Sequence, residues 1–151
     1  MIALDTNVLI YACDRSNPGR QQTAIQLVER TIDGVLLWQV ACEFVAASRK
    51  LSGQGFTGSD AWSRVAEFQA LFPLVLPSVG VLQRARQLHL SSGVSFWDAM
   101  ILAGCAEAGV EILYLEDVPG VAPGMTAGLK PAGPMAGSTL FLNPRRTVKL
   151  N

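Results

Sequence analysis

The chain opens with Ile2-Ala3-Leu4-Asp5-Thr6-Asn7-Val8-Leu9-Ile10-Tyr11. Ile2 to Leu4 is a short apolar run that suits a buried strand. Asp5-Thr6-Asn7 supplies side chains that cap helices, and Val8 to Ala12 reads as a short helix. A buried strand turning at once into a helix is the first unit of an α/β sheet. Ligands of such sheets bind outside the carboxyl ends of the strands, and Asp5 stands at that end.

The alternation continues along the chain. Asn17-Pro18-Gly19 reads as a break, and Ala24, Ile25, Leu27, Val28 and Ile32 recur near helical spacing before Asp33-Gly34. Val35-Leu36-Leu37-Trp38 reads as a second buried strand, and 40–50 as a helix with Arg49 and Lys50 at its cation-favouring end. Gly53 to Gly58 is expected as a loop, with Ser59 capping a helix that runs to Leu71 and stops at Pro73. Leu74-Val75-Leu76 is a third strand, and 78–90 is a helix closed by Ser91-Ser92-Gly93. Ser95 opens a helix over 96–108 that Gly109 ends, and 111–115 is a fourth strand.

The expectation is an α/β fold in a single domain over 1–151. Its central, mostly parallel sheet of four to five strands carries helices on both faces. Val118 to Gly137 holds five Gly and four Pro in twenty residues and reads as a long loop or insertion. Thr139-Leu140-Phe141-Leu142 is expected as an edge strand. A basic tail over 143–151 comes last, with Arg145, Arg146 and Lys149.

Composition narrows the function. The 151 residues are 50% apolar and 16% charged, enough for one buried core. Twelve basic residues balance twelve acidic ones, so polyanion binding must rest on a local patch, not on overall charge. The N-terminus lacks a basic leader region, and no apolar run approaches the ~20 residues that span a bilayer. A cytoplasmic protein without membrane attachment is expected. Cys13, Cys42 and Cys105 read as reduced core thiols. His89 is the single imidazole and reads as a capping or surface group, so Cys/His metal sites and His triads are disfavoured. Trp38, Trp62 and Trp97 read as core or interface residues, with base stacking the alternative for Trp97.

Four acids reach the same edge of such a sheet. Asp5 follows strand one, Glu43 lies in the helix after strand two, Asp98 opens the helix before strand four, and Asp117 follows strand four. Each alone has a structural role to hand. Asp5 can cap a helix, Ser95-Phe96-Trp97-Asp98 matches a capping box, and Asp117 can be a solvated loop acid. Glu43, among Val40, Phe44 and Ala47, is harder to place without a partner. Together, clustered carboxylates repel and lose hydration, so one or more takes up a proton unless a cation sits among them. Oxygen-only ligands select Mg²⁺ or Mn²⁺, the ions of phosphoryl-transfer chemistry.

Leu4-Asp5-Thr6-Asn7-Val8-Leu9-Ile10-Tyr11, Glu43, Phe96-Trp97-Asp98-Ala99 and Tyr114-Leu115-Glu116-Asp117, in this order, resemble the PIN-domain nucleases, above all the VapC-type toxins. Leu140-Phe141-Leu142-Asn143-Pro144 is similar to that family's last strand. The resemblance implies an α/β/α sandwich and a metal-dependent endoribonuclease that cuts structured RNA such as tRNA or rRNA. It implies Asp5, Glu43, Asp98 and Asp117 as both catalytic and metal-holding residues, with Thr6 or Asn7 orienting the Asp5 carboxylate or the bound water. It also implies a homodimer held inactive by a VapB-like antitoxin.

The chain departs from the family where Leu115 replaces the frequent Ser or Thr, and Glu116 beside Asp117 offers a second acid there. Strand alternation lets only one face the site, taken as Asp117. Val118 to Gly137 is also longer than the family's usual closing turn. Arg15, Arg20, Arg145 and Arg146 are candidates for contacts with the RNA backbone. The alternative reading is a non-catalytic PIN-like module that binds RNA or protein. A haloacid-dehalogenase-type phosphatase also starts with Asp after strand one, but it needs a second Asp where Asn7 stands and a Lys where this chain has none.

Overall fold

The structure, a computed structural model, describes residues 1–115 and 147–149. Glu116, Asp117, the 118–137 stretch, the expected strand over 139–142, Arg145 and Arg146 lie outside the described residues. The strands are β1 (Ile2–Leu4), β2 (Gly34–Leu37), β3 (Leu74–Val75), β4 (Ile112–Tyr114) and β5 (Thr147–Lys149). They form one sheet in the order β3-β2-β1-β4-β5. The first four are parallel and β5 pairs antiparallel with β4, as a mostly parallel sheet of four to five strands requires. Part of the expected basic tail is therefore an edge strand. Six helices accompany the sheet among the described residues: α1 (Thr6–Cys13), α2 (Pro18–Arg30), α3 (Trp38–Ala47), α4 (Gly58–Leu71), α5 (Val79–Ser92) and α6 (Phe96–Ala108).

The strand order places the site. From β1 the chain steps outward on one side through β2 to β3, then returns by α5 and α6 to the other side of β1 as β4. The reversal falls between β1 and β4, the switch point where open α/β sheets leave a crevice at the strands' carboxyl ends. Leu4 pairs with Tyr114, and the Asp5 N–H donates to the Tyr114 carbonyl at 2.8 Å, so Asp5 sits in that crevice. Ala3, Leu4, Val35, Leu36, Leu37 and Leu113 are buried, because these central strands are covered on both faces.

Several boundaries differ from expectation, each for a local reason. Asn17-Pro18 starts a helix: Asn17 accepts from the Arg20 N–H and Pro18, with no N–H to lose, stands at the first helical position. Arg20 is thus helical. The fourth helix is capped by Thr57, whose hydroxyl and the Asp60 carboxylate close a capping box, so Ser59 lies inside it. Trp38 begins α3 and does not end β2. Residues Ser48–Gln54 form a 3-10 helix that closes on Gly55 at φ 78°, where part of a loop was expected. Cys105 is buried, but Cys42 is exposed and Cys13 is half-buried, so only one of the three is a core thiol; all are free. Trp38, Trp62 and Trp97 are 46%, 65% and 60% exposed, which overturns their reading as core residues. No described helix is long and apolar enough to cross a membrane.

Candidate metal centre

Asp5 is the N-cap of α1, its carboxylate accepting from the Asn7 N–H at 3.5 Å. Its structural role and its place in the crevice coincide, since a residue that caps a helix at the end of β1 must stand there. Thr6 is buried, and its hydroxyl donates to Glu43 Oε2 at 3.1 Å. That bond crosses from α1 to α3. Thr6 thus serves two acids, Asp5 through its backbone N–H and Glu43 through its hydroxyl. Asn7 is exposed and serves through its backbone N–H.

Glu43 is half-buried on α3, and the partner that its apolar neighbours did not reveal is Gln39, one turn earlier. Gln39 Nε2 donates to Glu43 Oε1 at 2.6 Å and to the Trp97 carbonyl at 3.0 Å. One amide thus ties α3 to the first turn of α6. Sequence reasoning passed over Gln39, although a polar residue four before Glu43 shares its helix face and was a usable signal. Asp98 lies in that first turn. Its N–H donates to the Ser95 hydroxyl at 3.2 Å, and the same hydroxyl donates to Asp98 Oδ2 at 2.5 Å. Ser95 thus caps α6, but the Asp98 carboxylate meets the Ser95 hydroxyl and not its N–H, so the expected capping box is only half made, and the second carboxylate oxygen is left without a hydrogen bond among the described residues.

The charges of Glu43 and Asp98 both reach Asp5. The Asp5 carboxyl is pushed up from 3.8 to about 6, chiefly by burial, and further by the charges of Glu43 and Asp98. The Thr6 and Asn7 N–H groups pull it down and lose. No Lys or Arg pairs with any of the three among the described residues. Behind them, burial first and the Asp5 charge second push the Cys105 thiol to about 12, so it stays protonated. Among the described residues no group of three or more His, Cys, Asp or Glu lies close enough to hold one ion. The donors are all oxygen, the burial and repulsion that together raise Asp5 are what a cation would offset, and Glu116 and Asp117 lie outside the described residues. The residues present fit a hard divalent cation in chemistry and charge.

The other candidates lie apart. Arg15 is anchored to Gln54, its N–H donating to Gln54 Oε1 at 2.7 Å and its guanidinium to the Gln54 carbonyl. Arg20 stacks over the Tyr11 ring at 4.6 Å. Neither forms a salt bridge among the described residues, though the Arg20 charge acts on Asp14 and the Arg15 charge on Asp60. His89 Nδ1 bonds the Val94 carbonyl at 2.7 Å, bracing the turn between α5 and α6, as a structural role requires.

Among protein-family models, the PIN domain matches residues 2–118. Among curated proteins, none matches.

Proposed function

This chain belongs to the PIN domain family, and we propose that it is a metal-dependent endoribonuclease, the toxin of a type II toxin–antitoxin pair. PIN domains are generally nucleases that use divalent metal ions. One observation carries the reading: Asp5 is held near 6 by burial and by Glu43 and Asp98, with no cation paired to it among the described residues.

Asp5, Glu43 and Asp98 would hold the ion, with Asp117 as the fourth carboxylate. Mg²⁺ or Mn²⁺, when bound, supplies positive charge toward the phosphodiester and lowers the pKa of a water. The chain's part is to hold its oxygens still. Thr6 and Gln39 each fix one oxygen of Glu43, so that side chain has no freedom to swing away. Ser95 fixes one oxygen of Asp98 and leaves the other for a ligand. Asp5 is set by its backbone, as the cap of α1.

The test is incubation with total tRNA and Mn²⁺ or Mg²⁺. Cleavage is expected, it stops on adding EDTA, and folded Asp5→Asn and Asp98→Asn variants lack it. Cleavage by a clean Asp5→Asn preparation would overturn these roles. The toxin role is supported by the ordered VapC-like motifs. It predicts growth arrest on expression, relieved by a VapB-like antitoxin. The same reading places the protein in the cytoplasm as a homodimer.

A second reading is favoured by one observation, the lack of a three-acid group close enough for an ion among the described residues. It makes the chain a non-catalytic module for RNA or protein. Calorimetry with Mn²⁺ separates the two, since this reading expects no binding heat.

A further inference from the structure

We propose that Gln39 is a positioning residue that holds two acids of the ion site, Glu43 and Asp98, with a single amide. This rests on the metal-dependent reading and adds a residue on which that site depends.

Gln39 stands in the first turn of α3 and is only 8% exposed. Its Nε2 donates to Glu43 Oε1 at 2.6 Å, while the Thr6 hydroxyl holds Oε2 at 3.1 Å. Its second bond, at 3.0 Å, goes to the Trp97 carbonyl. That carbonyl and the Asp98 N–H belong to one planar peptide unit. The N–H side of the unit donates to the Ser95 hydroxyl at 3.2 Å, and this hydroxyl donates in turn to Asp98 Oδ2 at 2.5 Å. The peptide that carries Asp98 is thus gripped at its N–H by Ser95 and at its carbonyl by Gln39. Ser95 caps α6 itself, so it fixes Asp98 only within that helix. Gln39 reaches across from α3, so it fixes Asp98 relative to Glu43.

The amide is placed for its donors. Both groups that it meets only accept, so it cannot turn round. Its own Oε1 is buried with no hydrogen-bond donor among the described residues. A Met of similar length would serve packing without leaving a buried acceptor unmet, so packing alone does not account for Gln here. What Gln supplies and Met does not is the pair of N–H bonds between the two acid-bearing helices. Partners that orient carboxylates in this way govern how tightly those carboxylates hold an ion.

Nitrogen-15 NMR of the metal-free wild-type protein reads the clamp directly. The Gln39 side-chain amide protons are expected to exchange with water at least about tenfold more slowly than those of Gln83, which is exposed on α5. Exchange as fast as that of Gln83 overturns the proposal, whether or not any variant folds. Gln39→Met should move the Asp98 backbone N–H resonance, whereas Thr6→Val, which frees only Glu43, should leave it in place. An Asp98 resonance that ignores Gln39→Met overturns the hold on Asp98 and the proposal with it. Calorimetry with Mn²⁺ then separates positioning from folding. Positioning predicts that Gln39→Met raises Kd about tenfold or more, with the number of sites per chain unchanged. A merely structural role lowers the number of sites as molecules unfold and leaves Kd alone, and that result refutes positioning. Wild-type protein that takes up no Mn²⁺ sinks the metal-dependent reading and this role together; wild type and Gln39→Met that bind Mn²⁺ alike sink this role alone.

Discussion

Replacing Asp5 by Asn is expected to stabilise the metal-free protein while abolishing its activity. The folded state holds the Asp5 proton more tightly than the unfolded chain does, because its pKa rises from 3.8 to about 6. Below the lower value Asp5 is neutral in both states and costs nothing. As pH rises through about 6 the folded state must expose a charge to burial and to Glu43 and Asp98, and stability falls. A rise of that size corresponds to at most about 3 kcal/mol, and solvent at the cleft reduces this to about 1–2 kcal/mol. In a domain of this size that is roughly 3–6 °C in Tm. Asn keeps an oxygen for the Asn7 N–H and caps a helix as well as Asp, so the cap itself is not lost. Thermal melts in EDTA should therefore show the variant above wild type near pH 8, with the gap closing as pH falls through about 6. Mn²⁺ should raise the wild-type Tm and leave the variant nearly unchanged. A variant less stable than wild type near pH 8, or a gap that ignores pH, would refute the cost of a charged Asp5, from burial and from its neighbours, from which the cation is inferred.

Thr6→Val removes the hydroxyl that fixes Glu43 while keeping shape, so it should lower kcat about tenfold and leave circular dichroism unchanged; unchanged kcat would show that Glu43 needs no such brace. Mn²⁺ affinity should fall as pH drops below about 6, because the ion must displace the Asp5 proton, and calorimetry in buffers of different ionisation enthalpy should show proton release. Gly34→Ala should destabilise by about 1–3 kcal/mol, since a Cβ there would lie 2.5 Å from the Phe72 ring. An unshifted urea midpoint would mean that the ring moves freely.

The parts of the fold legible in the sequence are those where local chemistry and burial agree. Ser95 and Gly109 bracket α6 as expected, and β1 and β4 are short apolar runs that fall next to each other in the sheet. Asp5 follows β1 and Asp98 opens α6, while Glu43 stands in the second turn of α3, and the charges of the last two reach Asp5. The illegible parts depend on contacts between remote segments. Gln39 gains its meaning only when α6 brings the Trp97 carbonyl to it, 58 residues away in the chain. The tryptophans resemble core residues by composition, and only the packing of α3, α4 and α6 shows that Trp38, Trp62 and Trp97 stay uncovered. Asn17-Pro18 is ambiguous for another reason: the same residues that end one element can begin the next, and the helical run after Pro18 decides which.

Asp5 and Asp98 both stand at helix N-termini, where the backbone field favours negative charge by about 0.3–1 kcal/mol each. That alone would give ordinary capping acids with lowered pKa, as at Asp60, whose bonds from Thr57 pull it down. Asp60 is exposed and has no like charge beside it. Asp5 receives the same kind of backbone help and still ends near 6, so burial and its two acidic neighbours outweigh the cap. The contrast within one chain separates an acid placed for a helix from an acid placed for a charge that must come from outside. Removing Glu43 and Asp98 together, as Gln and Asn, should return Asp5 only part of the way toward 3.8, because burial is the larger cause. A full return, followed by the carbon-13 shift of the Asp5 carboxyl against pH, would mean that repulsion alone raises it and that the crevice is wetter than its packing indicates.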